Sequence, residues 1–102
     1  MHKLVVLYPP QPDPEAFKKY YLERHVPLVR KMPGMKGFRY SFDVEGLGAP
    51  SPYFCIFEAD FEDGAALGAA LGSPEGQAAA GDVPNFAPVA PTLINYPVET
   101  GL

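Results

Sequence analysis

Residues 36–45 read KGFRYSFDVE, and this stretch decides the fold. Phe38, Tyr40, Phe42 and Val44 alternate with Arg39, Ser41 and Asp43, the two-residue period of a strand with one covered face and one wet face. Immediately downstream, the loop GLGAPSP (46–52) leads into YFCIFEADF (53–61), a further strand that runs antiparallel to the first if the connection is direct. Upstream lies KLVVLY (3–8), compact, β-branched and aromatic, a strand stopped by Pro9, Pro10 and Pro12.

Between these strands the pattern changes period. Asp13 is a good N-cap, Pro14 occupies the first helical position, and Glu15 sits at the positive end of the helix dipole. Phe17, Tyr20, Tyr21, Arg24 and His25 then recur at three- and four-residue spacings, so several of them share one helix face. Pro27 lacks an N–H and crowds the carbonyl of Glu23, which predicts a kink or a short break immediately after His25. A last turn through Leu28, Val29 and Arg30 ends at Pro33-Gly34.

In the C-terminal part, Glu62-Asp63-Gly64 opens the alanine-rich helix AALGAALG, and Ser73-Pro74-Glu75 opens a second short helix, QAAAG. Residues 82–88, DVPNFAP, read as an irregular loop, and VAPTLINY (89–96) as a fourth strand that Pro91 assigns to an edge or a bulge. The order strand, helix, strand, strand, helix pair, strand is that of an α+β, ferredoxin-like fold. It has a four-stranded antiparallel sheet with helices on one face, and the first and third strands adjacent in the middle.

That topology makes the two central strands informative. Leu4, Val6 and Tyr8 oppose Val5 and Leu7 on the first; Phe54 and Ile56 oppose Tyr53, Cys55, Phe57, Ala59 and Phe61 on the third. Helices cover only one sheet face, so the apolar residues of the other predict a homodimer formed sheet to sheet.

Composition narrows the function. With 102 residues the chain is one domain, and 47% apolar content makes it globular. Eight Lys and Arg against twelve Asp and Glu give a formal charge of -4, a poor footprint for nucleic acid. The apolar runs are too short to span a membrane, and the N-terminus reads as a strand and not as a signal peptide. Together with the lone Cys55, these features predict a cytoplasmic protein without disulfides. Two histidines far apart and one cysteine argue against a zinc site, and no glycine-rich nucleotide motif is present, so no cofactor is expected.

KYYLERHVPLVRKMPG (19–34) and SPEGQAAAGDVPNF (73–86) resemble the EthD family of the dimeric α+β barrel superfamily, and the likeness extends over nearly the whole chain. The resemblance implies a ferredoxin-like protomer whose sheets pair into a barrel, with a cleft near each set of helices. It implies no single reaction: the family takes its name from a protein required for degrading ethyl tert-butyl ether, and relatives include a methylmuconolactone isomerase. The wider superfamily holds polyketide cyclases, cofactor-free monooxygenases and haem-degrading enzymes. By position, the family's helical histidine corresponds to His25, and its acidic residue before the Asn-Phe pair to Asp82. The resemblance implies more than one imidazole or acid in the cleft of relatives that do proton chemistry, and the sequence departs from a two-imidazole pattern, since its other histidine is His2 at the start of the chain.

His25 is therefore the first candidate catalytic residue, an imidazole able to remove and return a proton near neutrality, with Tyr21 one helical turn away. The competing structural role is capping of helix carbonyls or packing on Tyr21. Asp82 is the second candidate, as orienter of His25 or proton acceptor, against an ordinary role in capping the turn of Val83 and Asn85. Tyr21 completes the catalytic set, and Tyr8, Tyr40 and Asn85 are candidates for substrate binding, phenols being suited to line an apolar pocket. Arg39 reads as a solvated charge and Cys55 as a buried, inert thiol. Two functions follow: a cofactor-free isomerase or cyclase acting on a small apolar oxygenated compound (a lactone, enol or polyphenol), or a non-catalytic accessory protein that binds such a ligand.

Overall fold

A computed structural model describes all 102 residues. Strand β1 (His2–Tyr8) is followed by helix α1 (Pro14–Tyr20), which runs without interruption through a wide turn at Tyr21–His25 into α2 (Val26–Val29). Then come β2 (Gly37–Ser41), β3 (Cys55–Phe61), α3 (Gly64–Gly72), α4 (Pro74–Asp82), a single 3₁₀ turn (Val83–Asn85) and β4 (Thr92–Pro97). The sheet order is β2-β3-β1-β4, antiparallel throughout, with β1 and β3 paired at its centre. This is the predicted ferredoxin-like arrangement. No helix is long and apolar enough to cross a membrane.

The predicted caps close the helices. The Asp13 carboxylate accepts the Ala16 N–H at 3.1 Å, and Asp63 accepts that of Ala66 at 2.8 Å. The distortion caused by Pro27 lies elsewhere than expected. The helix does not kink after His25; it widens before it, into a π turn in which the Val26 N–H donates to the Tyr21 carbonyl five residues back. Pro27 has no N–H to close an α-turn on Glu23 and its ring needs that carbonyl displaced, and one extra residue in the preceding turn accommodates both demands.

Leu4, Val6 and Tyr8 of β1 and Phe57, Ala59 and Phe61 of β3 point towards the helices and form the sheet side of the core. Strand β2 stops at Ser41, short of the predicted Glu45, because Asp43 adopts a positive φ of 54° and turns the chain away. Phe54 is a further correction. It precedes β3 and packs on Phe17, with ring centroids 5.3 Å apart, on the helix side and not with Ile56.

The opposite sheet face is divided. Val5, Leu7, Ile56 and Ile94 make one apolar region by register. The other end is charged: Lys3 bonds Glu58 at 2.9 Å and Arg39 bonds Asp60, so these ions are paired within the chain. Every residue of β4 is exposed, including Leu93, Ile94 and Tyr96.

The connection between α3 and α4 is unusually tight. Ser73 accepts the Gly76 N–H at 3.0 Å and donates to the Ala70 carbonyl at 2.6 Å. Gly76 lies so close to α3 that a Cβ there would overlap the Ala70 carbonyl oxygen. Helix α4 extends to Asp82, which is thus the last residue of a helix and not part of the loop predicted from DVPNFAP.

Candidate active site

The π turn has a consequence for which side chains meet. In a uniform α-helix, residues five apart are separated by about 140° of arc. A turn closed on the fifth residue back brings positions i and i+5 to the same side. Tyr20 precedes that turn and His25 ends it, and both reach Asp82 on α4: the Tyr20 hydroxyl donates to Asp82 Oδ1 at 2.7 Å, and His25 Nδ1 lies 3.0 Å from Asp82 Oδ2. Asn85, on the 3₁₀ turn, donates from Nδ2 to Oδ1 at 3.1 Å.

His25 and Asp82 are both buried, at 5% and 8% exposure, yet all their buried polar atoms are partnered. Burial pushes the His25 pKa down, and the hydrogen bond and charge of Asp82 oppose this without overcoming it. For Asp82 burial acts upwards, but the hydrogen bonds from Tyr20, Asn85 and His25 outweigh it and hold the carboxyl below its usual range. The resting pair is consequently a neutral imidazole beside a carboxylate. A carboxylate only accepts, so Nδ1 carries the ring proton and Nε2 is left with its lone pair.

A cavity of about 280 Å³ lies between the sheet and the helices, with His25 on its wall. Leu4 and Val6 of β1 form its floor, Val29 and Met32 one side, and Ala79 and Val83 the other. Eleven of the fifteen lining residues are hydrophobic and none is Lys, Arg, Asp or Glu, so His25 is the polar group of ordinary proton-transfer range on the wall. Tyr8 also lines it; burial holds its phenol well above the usual range, so it is protonated and serves as a hydroxyl.

The structure thus brings together His25, Asp82 and Asn85, and places Tyr8 on the same cavity. Tyr21 is outside the lining. Its ring is enclosed by Tyr8, Phe17, Tyr40, Phe42 and Phe86 and contacts His25 at 5.3 Å between centroids. Tyr40 is also outside it, half-buried against Tyr21 and Phe42. Asn85 faces Asp82 and not the cavity. Two residues were missed from sequence: Tyr20, whose link to Asp82 depends on the π turn, and Phe86, whose ring packs 4.5 Å from the imidazole and 5.5 Å from Tyr20. Gln11 holds the segment after Phe86 in place through hydrogen bonds with Val89 in both directions, at 3.0 and 3.1 Å. Cys55, fully buried in β3, has its thiol pushed up to about 12 by burial, the inert state expected.

Fold and site together define a ferredoxin-like α+β protein with a helix-borne histidine–aspartate pair on an apolar cavity. The EthD domain model matches residues 9–89, and the chain belongs to the EthD family. It is 37% identical over 102 residues to an 11.0 kDa protein of Rhodococcus erythropolis encoded in the thcB–thcC intergenic region, covering 100% of this chain and 99% of that one. Among solved structures, an ethyl tert-butyl ether D family protein of Bacillus halodurans is similar at a TM-score of 0.90 and 30% identity, over 97% of this chain and 99% of that one. A dimeric ferredoxin-like protein of Thermobifida fusca, at 18% identity, shares the fold with a TM-score of 0.66 over 95% and 90% of the two chains.

Proposed function

We propose that the chain is an acid–base enzyme for a small, partly apolar oxygenated compound, of the isomerase or cyclase class, with His25 as its base. In this reading His25 Nε2 takes a proton from an acidic C–H or O–H of the substrate. The imidazolium so formed is stabilised by Asp82 at Nδ1 and returns the same proton at another atom of the substrate, so that no external donor or oxidant is consumed. The Tyr8 hydroxyl is the group on the wall that can donate to a developing oxyanion. The observation that carries the proposal is the buried imidazole, fixed as the Nε2 lone-pair tautomer by Asp82, on an otherwise apolar cavity.

The test is turnover of lactones, enols and phenols by wild type and His25→Gln. A loss of about a hundredfold or more is expected; equal turnover by the two would sink the role of His25. The accessory-protein reading draws on the same cavity, which offers few ionisable groups, and it predicts ligand bound and recovered unchanged by both forms.

The assembly we propose is a homodimer through the outer sheet face. Val5, Leu7, Ile56 and Ile94 supply the apolar region for it, and the dimeric state of the T. fusca protein supports it. Light scattering should give about twice the chain mass of 11.1 kDa; a monomer mass at micromolar concentration refutes it.

A further inference from the structure

We infer that the cavity selects an uncharged ligand that presents a hydrogen-bond donor to His25, and that it rejects carboxylates. The inference rests on the acid–base reading of the site and narrows its substrate class. Three features of the wall carry it.

The first is the polarity of the imidazole. Asp82 Oδ2 holds the Nδ1 proton, so the atom left for a ligand is an acceptor. A hydroxyl or enol satisfies it, including one carried on a lactone ring; an ether, a simple ester or a hydrocarbon of the same shape leaves it unpaired, and sites built to bond a donor discriminate strongly against analogues that lack one.

The second is charge. The lining contains no Lys or Arg. Lys3, Lys18 and Arg39 are engaged elsewhere, with Glu58, Asp43 and Asp60 respectively. Behind His25 stands the Asp82 carboxylate, whose sign is wrong for an anion. A carboxylate entering here would lose water and meet no cation on the wall.

The third is size. A volume of about 280 Å³ is at the lower end for ligand sites, enough for one substituted ring. Leu93 lines this volume from β4 and is 56% exposed, so it marks the side from which solvent reaches the wall.

The experiment uses three probes of one shape: para-ethylphenol, para-ethyltoluene and para-ethylbenzoate. Binding to the full chain at neutral pH is followed by the His25 ring resonances, assigned with His25→Gln. The phenol is expected to bind and shift them, with the toluene weaker by about tenfold or more and the benzoate weaker still. Leu93→Arg places a cation at the exposed edge of the cavity, where folding tolerates it, and is expected to strengthen benzoate binding by about tenfold. Benzoate or toluene binding as tightly as the phenol in wild type overturns the selectivity while leaving the acid–base reading in place. Silence of the His25 resonances with all three probes, in wild type and Leu93→Arg alike, overturns both.

Discussion

Helix α4 contains two glycines whose replacement by alanine should act in opposite directions. At Gly81 a Cβ would meet nothing within 4 Å, so Gly81→Ala gains only the helix preference of alanine, about 0.5–1 kcal/mol. At Gly76 the same gain is overwhelmed. The added Cβ overlaps the Ala70 carbonyl oxygen and lies 3.0 Å from the Ala70 carbonyl carbon and the Leu71 Cα. All three are backbone atoms, which no rotamer change can move, so α4 must withdraw from α3. Overpacking costs about 1–3 kcal/mol, and immovable neighbours place this case at the upper end. The net loss, after the propensity gain, is about 2 kcal/mol. For a domain of this size each kcal/mol corresponds to about 4–8 °C in melting temperature. Thermal unfolding followed by circular dichroism should therefore rank Gly81→Ala above wild type and Gly76→Ala about 8–16 °C below it. Because Asp82 is on the same helix, the Gly76 variant should also disturb the His25 ring resonances, and the Gly81 variant should leave them close to wild type. A Gly76→Ala protein melting at or above wild type would refute the close approach of α3 and α4.

The histidine–aspartate pair also predicts a pH dependence. His25 has a folded pKa below its ordinary value of about 6.5, so the unfolded chain takes up a proton before the folded one does. Stability is fully present above pH ~6.5 and falls as the pH drops from there through the folded pKa; denaturant titrations should show this slope reduced in His25→Gln. Asp82, whose folded pKa is also depressed, contributes stability above its unfolded value of about 3.9 that is lost as the pH falls through the folded one, so its loss forms a separate, more acidic step. Tyr20→Phe removes one donor from Asp82 while keeping the stacked contact with Phe86, and the remaining carboxylate becomes a stronger acceptor for Nδ1. The NMR titration midpoint of His25 should rise in this variant, and an unchanged midpoint would disconnect Tyr20 from the imidazole. Cys55, fully buried, should resist thiol reagents in the native protein and react at once in denaturant; fast native labelling would contradict its place in β3.

The sheet was legible because its signals are local and periodic. Phe38 and Tyr40 alternate with Arg39 and Ser41, and the structure puts the first pair on the helix side. The end of β2 was not legible, since Asp43 takes a left-handed conformation that an acidic residue tolerates without announcing it. The outer face looked more apolar in sequence than it is, because Glu58 and Asp60 lie opposite the strand residues that drew attention. At the site, His25 and Asp82 were each visible as chemistry-bearing residues, whereas the partnership of Tyr20 was hidden by the assumption of a regular α-helix. The available signal was Pro27, which marked a disturbed helix but not the form of the disturbance. Asp82 read as a loop residue within DVPNFAP, but Pro84 lies inside a 3₁₀ turn that starts at Val83, and α4 continues up to Asp82.

The contacts of Asp82 join positions 57 and 62 residues apart in the chain, linking the first helix to the last. No fragment of the polypeptide holds the site by itself, so occupancy of the cavity and closure of the whole domain are a single equilibrium. Any molecule that binds the native cavity must delay melting, by an amount set by its concentration relative to its Kd: about 2.7 kcal/mol at a hundredfold excess. For this chain, a melting curve is therefore also a ligand detector, and libraries of small compounds can be ranked by it before any reaction is known.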